Sequence, residues 1–506
     1  MTDQLPAIIV LMPLLGALLS VLLGMFDRKL CLPVALVALA ITASSAVAML
    51  ANVLASPGQS LSYRFGGWDP LVGIEYRIDA LSGLVVLAIT VVGFLNAIYS
   101  KTRVRDESPR REHYFYALYL LLVAGLCGMV LTNDAFNLYV LLEICSLTSY
   151  ALIAIGNRRA ALASFNYVII GTIGASFYLL GVGYLYIKTG ALNMDGIHAA
   201  LRANDIADSP TIKVGFILIM LGVWIKMALF PLHGWLSNAY SYAPTTTGAL
   251  MAPLMTKVMV YIMIRMMLSV FGTEFVFREE FWSTGVVGSA TVAIVAGSVL
   301  ALARSDIKKM LTYLIVAEVG YMVGGAWLGN HSGMIGASYH ILSDAAMTFC
   351  LFLAAGIIIN RTGEARVNAF DGAFKKYPLT MIGFTVGALA MIGLPPSCGF
   401  FSKFYLISGG IEAGQWGFVV ALLFSSLVNA VLFFRIFERA YFPKDLASGF
   451  EFGGDPDAKP DRSLDQVPYS MLVPMLIAAA SLLIIGLANQ TIVGWLNTAL
   501  ASFSLK

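Results

Sequence analysis

The chain has 506 residues, 59% of them hydrophobic and only 12% charged, with a formal net charge of +3 and a mean hydropathy of +0.81. Soluble domains carry about 25% charged residues, so this composition excludes a water-soluble globule and points to an integral membrane protein. The positive balance is too small and too scattered for a nucleic-acid partner.

A membrane helix needs about 20 apolar residues. Fourteen apolar segments fit that requirement: 5–26, 30–54, 79–99, 113–132, 135–156, 160–187, 211–230, 245–268, 282–303, 309–328, 332–359, 378–410, 414–441 and 468–497. The first follows the acidic Asp3 and is long enough to span, so it reads as a helix and not as a cleaved leader. Residues 61–78 alternate around a Gly-Gly pair, which predicts a short hairpin outside the membrane. Residues 443–467, rich in Pro, Asp and Gly, read as a loop.

Fourteen is even, which puts both termini on one side. The loops at 26–31, 100–112, 157–159, 304–309, 361–376 and 435–462 hold 21 Lys and Arg. The other side holds 8: Arg64, Arg77, Lys188, Arg202, Lys213, Arg265, Arg278 and Lys506. By the positive-inside rule the first group is cytoplasmic and both termini lie outside the cell's inner (plasma) membrane.

Resident redox chemistry is not expected. The five Cys form no CxxC or other ligand spacing. Of five His, only His340 sits well inside an apolar span, so haem ligands paired across two helices are lacking. No phosphate-binding or dinucleotide glycine motif occurs. The expectation is a chain without metal, cofactor or catalytic centre of its own.

The informative residues are the charges within the spans, each costing about 2.5–3.5 kcal/mol at the bilayer centre on insertion scales. Glu143 lies on the fifth span with Tyr139, Ser146 and Tyr150 on the same face. It is either satisfied by those hydroxyls or paired with a Lys from another helix. Lys226 lies on the seventh span, five residues before Pro231, with His233 and Gly234 just beyond. A proline breaks a helix, and a broken membrane helix is tolerated where it packs in protein or lines a wet cavity. Desolvation and a nearby Glu act on such a Lys in opposite directions, which suits a switchable proton carrier. His233 either caps the break or joins a relay. Lys257, four residues past Pro253, sits deep in the eighth span and could connect Lys226 to later helices. Lys403 follows the Pro395–Pro396 break of the twelfth span. His340, Ser343, Asp344 and Thr348 share one face of the eleventh span, so a His340/Asp344 pair can either relay protons or serve structure. Glu318 on the tenth span has no nearby charge in sequence.

These positions suggest an internal repeat. Spans 4–8 and spans 9–13 form two five-helix units, the second inverted. The second member of each carries a Glu (143 and 318), and the fourth is Pro-broken and carries a Lys. Interrupted spans in corresponding positions point to a transport path near the midplane. The expected division is 1–112, an N-terminal three-helix region with the hairpin; 113–270, the first repeat; 281–442, the second; and 443–506, a cytoplasmic loop and final helix.

At NDAFNLYVLLEICSLTSYALI, IKMALFPLHGWLSNAYSYAPTTTGALMAP, SDIKKMLTYLIVAEVGYM and GLPPSCGFFSKFY the chain resembles the antiporter-like subunit family. That family is shared by Mrp multisubunit cation/proton antiporters and the membrane arm of respiratory complex I. The resemblance covers about 75–440, and the FGGWDPLVGIEYRIDALSG segment and overall size are most similar to the D-type subunits of the Mrp branch. It implies fourteen helices with two inverted five-helix bundles and a hydrated polar axis crossing them. Glu143, Lys226, Lys257 and Lys403 then match the family's proton-carrying residues, with Glu143 paired to Lys226. The chain departs at the eleventh helix. The His–Asp and later Lys of the family read here as Ser343–Asp344 and Thr348, with His340 one turn earlier. Glu318 also stands in place of the more usual Gln.

The implied function is proton translocation within a multisubunit Na⁺/H⁺ antiporter, among other membrane subunits including further antiporter-like ones. The alternative is a proton-pumping subunit of a redox-driven complex, of the NADH-quinone oxidoreductase or membrane-bound hydrogenase type. A non-conducting scaffold is disfavoured by the intramembrane charges.

Overall fold

The computed structural model describes residues 4–56, 58–156, 158–203, 206–442, 467–501, 503 and 505. Within apolar surroundings a backbone must satisfy its own polar groups, and helices do so segment by segment. The chain accordingly forms α1 (Leu5–Phe26), α2 (Cys31–Ala55), α3 (Ala80–Ser100), α4 (Glu112–Leu131), α5 (Ala135–Ala154) and α6 (Arg158–Thr189). These are followed by α7 (Pro210–Met227), α8 (Leu236–Tyr242), α9 (Thr245–Arg265), α10 (Glu280–Leu302), α11 (Ile307–Trp327) and α12 (His331–Thr362). The series ends with α13 (Pro378–Ile392), α14 (Cys398–Glu412), α15 (Trp416–Tyr441), α16 (Tyr469–Leu487) and α17 (Asn489–Leu500), and shorter helices at Val104–Glu107, Met194–Ala203, Thr273–Val276 and Ala373–Lys376 lie in the connections.

Among the described residues, 13 helices are long and apolar enough to cross a membrane. The remaining expected span, 378–410, is the broken pair α13 and α14. The fourteen-span reading therefore holds for this multi-pass membrane protein. The final span differs from a single 468–497 helix, because the chain turns at Ala488 between α16 and α17. The hairpin is present as β1 (Leu61–Arg64) antiparallel to β2 (Glu75–Ile78), with Leu61 opposite Ile78. Gly66 and Gly67 take positive φ angles of 63° and 73° between the strands, which favours glycine. Most of the expected 443–467 loop lies outside the described residues.

Helix starts are fixed by side chains that meet orphan amides. Asp79, Asp134, Asp306 and Asn330 cap α3, α5, α11 and α12. At α9 the cap comes from afar: the Glu107 carboxylate accepts from the Thr245 and Thr246 amides at 2.9 and 3.4 Å.

Three helices form the centre. α9, α11 and α12 have 89%, 94% and 94% of their most apolar stretch buried, against 39% to 44% for α1, α2, α6 and α10. The outer helices present Leu, Ile, Val and Phe outward, as lipid or neighbouring subunits require. The central three pack on one another and carry Lys257, Glu318, His340 and Asp344, half of the titratable residues singled out above.

The two helix breaks are built alike. α7 ends at Ala228, in the left-handed region with φ 62°, and the Ala228 and Leu229 amides return to the Ile225 and Trp224 carbonyls at 3.2 and 3.1 Å. α13 ends at Gly393, with φ 97°, and the Gly393 and Leu394 amides return to the Leu389 carbonyl at 3.0 and 3.1 Å. Three residues after each left-handed residue stands a cis proline, Pro231 or Pro396.

Candidate functional site

The first pair lies between α5 and the end of α7. Lys226 Nζ stands 3.9 Å from Glu143 Oε1 and donates to Ser146 Oγ at 2.6 Å. Ser146 is one turn beyond Glu143, so the expected polar stripe holds the ammonium from two positions. Burial is unequal: the Lys226 side chain is 4% exposed, and that of Glu143 is 28% exposed.

The second pair is deeper. Lys257 Nζ on α9 lies 2.8 Å from Asp344 Oδ2 on α12, with side chains 2% and 0% exposed. Thr348 donates to the other Asp344 oxygen at 2.7 Å, and Lys257 donates to the Ala252 carbonyl at 3.2 Å. Lys257 therefore meets an acid of the later helices, as its place in the eighth span suggested.

The third pair departs from the expected arrangement on the eleventh span. His340 does not bond Asp344 on its own helix. Its Nε2 meets Glu318 Oε2 of α11 at 2.5 Å, and its Nδ1 meets Ser402 Oγ of α14 at 2.8 Å. Glu318 thus has a charge partner that was absent from its sequence neighbourhood. Residues four apart on a helix are adjacent, with Cβ atoms about 5–6 Å apart, so the His340–Glu318 and Lys257–Asp344 pairs are neighbours along α12.

Lys403 on α14 takes a different position. Its ammonium donates to the Met391 and Ile392 carbonyls at 2.8 and 3.2 Å and to Ser426 Oγ at 3.1 Å. It thereby meets orphan carbonyls at the end of α13, where the helix dipole also favours a cation. The Tyr321 ring lies 5.3 Å from it. His233 sits within the α7–α8 break. Its carbonyl accepts from the Leu236 amide at 3.0 Å, and its ring stacks on Phe230 at 5.0 Å. Its Nδ1 is buried without a protein hydrogen-bond partner.

Several charged positions escaped the sequence reading. Arg265, counted there as a loop charge, is part-buried at the end of α9 and ion-paired with Asp79. Lys308, also counted with a loop, is buried and donates to the Ala243 carbonyl at 3.2 Å. Glu107, which holds the start of α9, lies 3.5 Å from Arg103. An Asp before an apolar run with Ser three residues on, as in IDALSG, was the available signal for Asp79. Outside the spans, Glu75 of β2 is buried but receives Ser62 at 2.5 Å and Asn133 and Asn193 at 3.0 Å each. Burial raises its pKa, and these three hydrogen bonds together with the nearby Arg77 charge outweigh burial and hold it below the ordinary value.

Among the described residues no group of three or more His, Cys, Asp or Glu gathers as a metal site. Glu318 Oε1, Thr256 Oγ1, Ser338 Oγ and Trp327 Nε1 are buried without protein hydrogen-bond partners, all on the three central helices.

A family model described as "NADH:quinone oxidoreductase/Mrp antiporter, TM" matches residues 132–429. The chain is 43% identical over 505 residues to "NADH-quinone oxidoreductase subunit N" of Desulforudis audaxviator (strain MP104C), covering 97% of each. It is 30% identical over 443 residues to the D-type subunit of the Na(+)/H(+) antiporter of Bacillus subtilis (strain 168), covering 86% of this chain and 87% of that one. It superposes with a TM-score of 0.87 and 29% identity on a chain of the membrane-bound sulfane sulfur reductase (MBS), an archaeal respiratory membrane complex. That match covers 98% of this chain and 97% of that one. The likeness to D-type antiporter subunits is therefore accompanied by one, at higher identity, to a subunit named for quinone oxidoreduction.

Proposed function

Because the chain belongs to the NADH:quinone oxidoreductase/Mrp antiporter family, we propose that it is the proton-translocating, antiporter-like subunit of a multisubunit membrane complex. The observation that carries this reading is the Lys257–Asp344 pair at 2.8 Å, enclosed by the three most buried spans and one helical turn from His340–Glu318. Structure alone gives little reason for such pairs, since apolar residues of similar volume are often as stable or more so. Each pair holds a proton that changes place when the pair is separated or reformed.

Glu143 holds Lys226 charged. Drawing Glu143 away leaves a desolvated ammonium, which favours release of its proton toward α9. Lys257 passes charge to Asp344, and the His340–Glu318 pair carries it toward Ser402 and Lys403 on α14. The unpartnered buried atoms on α9, α11 and α12 support a hydrated connection, because each costs about 1–3 kcal/mol unless water meets it. The matching breaks at Ala228 and Gly393 support the two inverted five-helix units, 113–270 and 281–442. The Lys/Arg distribution supports an orientation with the hairpin face outside.

Partner subunits are supported by Glu143. Its part-exposed side chain shares a face of α5 with Phe136, Val140 and Leu147, which are 45%, 40% and 63% exposed. A carboxylate on a lipid-facing helix is costly, so a neighbouring membrane subunit is the natural cover. Exchange of Na⁺ for protons is the first reading of the energy source. Redox drive is the second, favoured by 43% identity across 97% of a relative named for NADH-quinone oxidoreduction. Gentle isolation of the complex from its native membrane separates them. Small hydrophobic partners with other antiporter-like subunits support antiport, whereas iron–sulfur, flavin or hydrogenase subunits support a redox-driven pump.

A further inference from the structure

We propose that the cavity on the hairpin face is a proton mouth of this chain, and that the Arg265–Asp79 ion pair is the gate between it and Lys257. The proposal rests on the proton-carrying reading above and adds to it a point of access. The cavity measures about 850 Å³ and lies where the ends of β2, α4, α9 and α17 meet. Asp79, Tyr261 and Arg265 all line it. Charges elsewhere around it are paired: Arg77 with Asp195, Arg202 with Glu274 at 4.0 Å, and Arg278 with Asp208 at 2.6 Å. His198 is held by the Val270 carbonyl at 3.2 Å.

Lys257, Tyr261 and Arg265 stand at i, i+4 and i+8, on one face of α9. Four residues advance a helix by about 6 Å, so the stripe runs about 12 Å from the mouth to the central pair. Between Lys257 and Arg265 the sequence is VMVYIMI, and Tyr261 carries its only polar side chain. The tyrosine is held in a closed arrangement. Its hydroxyl accepts from Arg265 Nε at 2.8 Å and donates to the Val130 carbonyl at 2.9 Å. The guanidinium is in turn pinned by Asp79, which also accepts from the Ser82 amide at 2.9 Å as the cap of α3. A pinned cation at the floor of a cavity repels an approaching proton.

Neutralising Asp79 releases Arg265 toward the cavity and frees the Tyr261 hydroxyl. The transfer then balances. A hydronium ion in the cavity gives its proton to the Tyr261 oxygen and is left as water, while that oxygen's own proton moves to Lys257 Nζ, which is neutral once its proton has passed to Asp344.

Asp79→Asn removes the charge and keeps a good N-cap. Two readouts in the assembled complex, in membrane vesicles, test the gate. The first is passive proton influx driven by a potassium diffusion potential. The second is labelling of a Val258→Cys variant, buried between Tyr261 and Lys257, by a membrane-impermeant thiol reagent from the hairpin face. Asp79→Asn is expected to raise both by about tenfold, the change that follows from weakening the closed state by about 1.4 kcal/mol. Tyr261→Phe in the Asp79→Asn background is expected to return the leak to the wild-type level. Unchanged labelling in assembled Asp79→Asn and Arg265→Gln overturns the gate, as does a leak that persists with Tyr261→Phe. Raised labelling without any leak keeps the gate and overturns the conduction reading beneath it.

Discussion

Lys257 and Asp344, 87 positions apart in sequence, meet at 2.8 Å between α9 and α12 with almost no exposed side-chain surface. The pair lies beside His340–Glu318 on α12, so two acid–base pairs contributed by three helices adjoin at the centre of the chain. Breaking such a pair by removing one partner costs about 3–5 kcal/mol, whereas replacing both with apolar residues is often neutral.

The double variant Lys257→Met/Asp344→Leu should therefore assemble with near-wild-type thermal stability, while Lys257→Met alone is destabilised by about 3–5 kcal/mol. Proton transport should be absent from both. Transport that survives in the stable double variant would remove the pair from the path.

Glu143→Ala and Lys226→Ala should each abolish transport while leaving the complex assembled. The ammonium of Lys226 keeps its bond to Ser146 when Glu143 is lost, so assembly is less affected than transport. Subunit stoichiometry and proton uptake, measured on the same preparation, separate the two effects.

Lys403→Ala should loosen the α13–α14 break, since it removes the Lys403 donor from the Ile392 carbonyl and leaves the Met391 carbonyl with Asn429 at 3.2 Å. Hydrogen bonds to charged groups contribute about 1.5–3 kcal/mol, and a loss of that size should appear in thermal unfolding. If Lys403 is purely a cap, Lys403→Arg keeps full transport. In a carrier role the substitution slows transport, because an arginine does not release its proton.

The hairpin face should weaken in acid. The folded pKa of Glu75 lies below the ordinary value of 4.5, so its contribution is fully present above that value and is lost as pH falls through the lower folded one. Hydrogen exchange at residues 61–78 should accelerate beyond the intrinsic pH effect as pH falls below about 4.5, and not between about pH 7 and that value. Glu75→Gln should flatten that added dependence.

Much of the fold is legible in sequence because lipid leaves few options. A run of 20 apolar residues has to be a helix, and Pro231 and Pro395–Pro396 mark where two helices stop. Charged residues stand out for the same reason, so Glu143, Lys226, Lys257, Glu318, Asp344 and Lys403 could be singled out. Their partners could not all be read. Helical spacing puts His340 beside Asp344, but spacing says only which face they share, and that face turns toward α9, α11 and α14. There the opposite charges on Lys257 and Glu318 take one residue each. Lys403 looked like a carrier beside a kink, yet its present contacts are the carbonyls the kink exposes. Arg265 and Lys308 looked like loop charges because they lie at the edges of apolar runs, where a side chain can turn inward as readily as outward.

The most direct test of a proton path through this chain is proton translocation by the assembled complex carrying Asp344→Asn. Asparagine keeps the size and the Thr348 contact but cannot take the Lys257 proton. A path through the central pair predicts loss of translocation with normal assembly; translocation at the wild-type rate would contradict it.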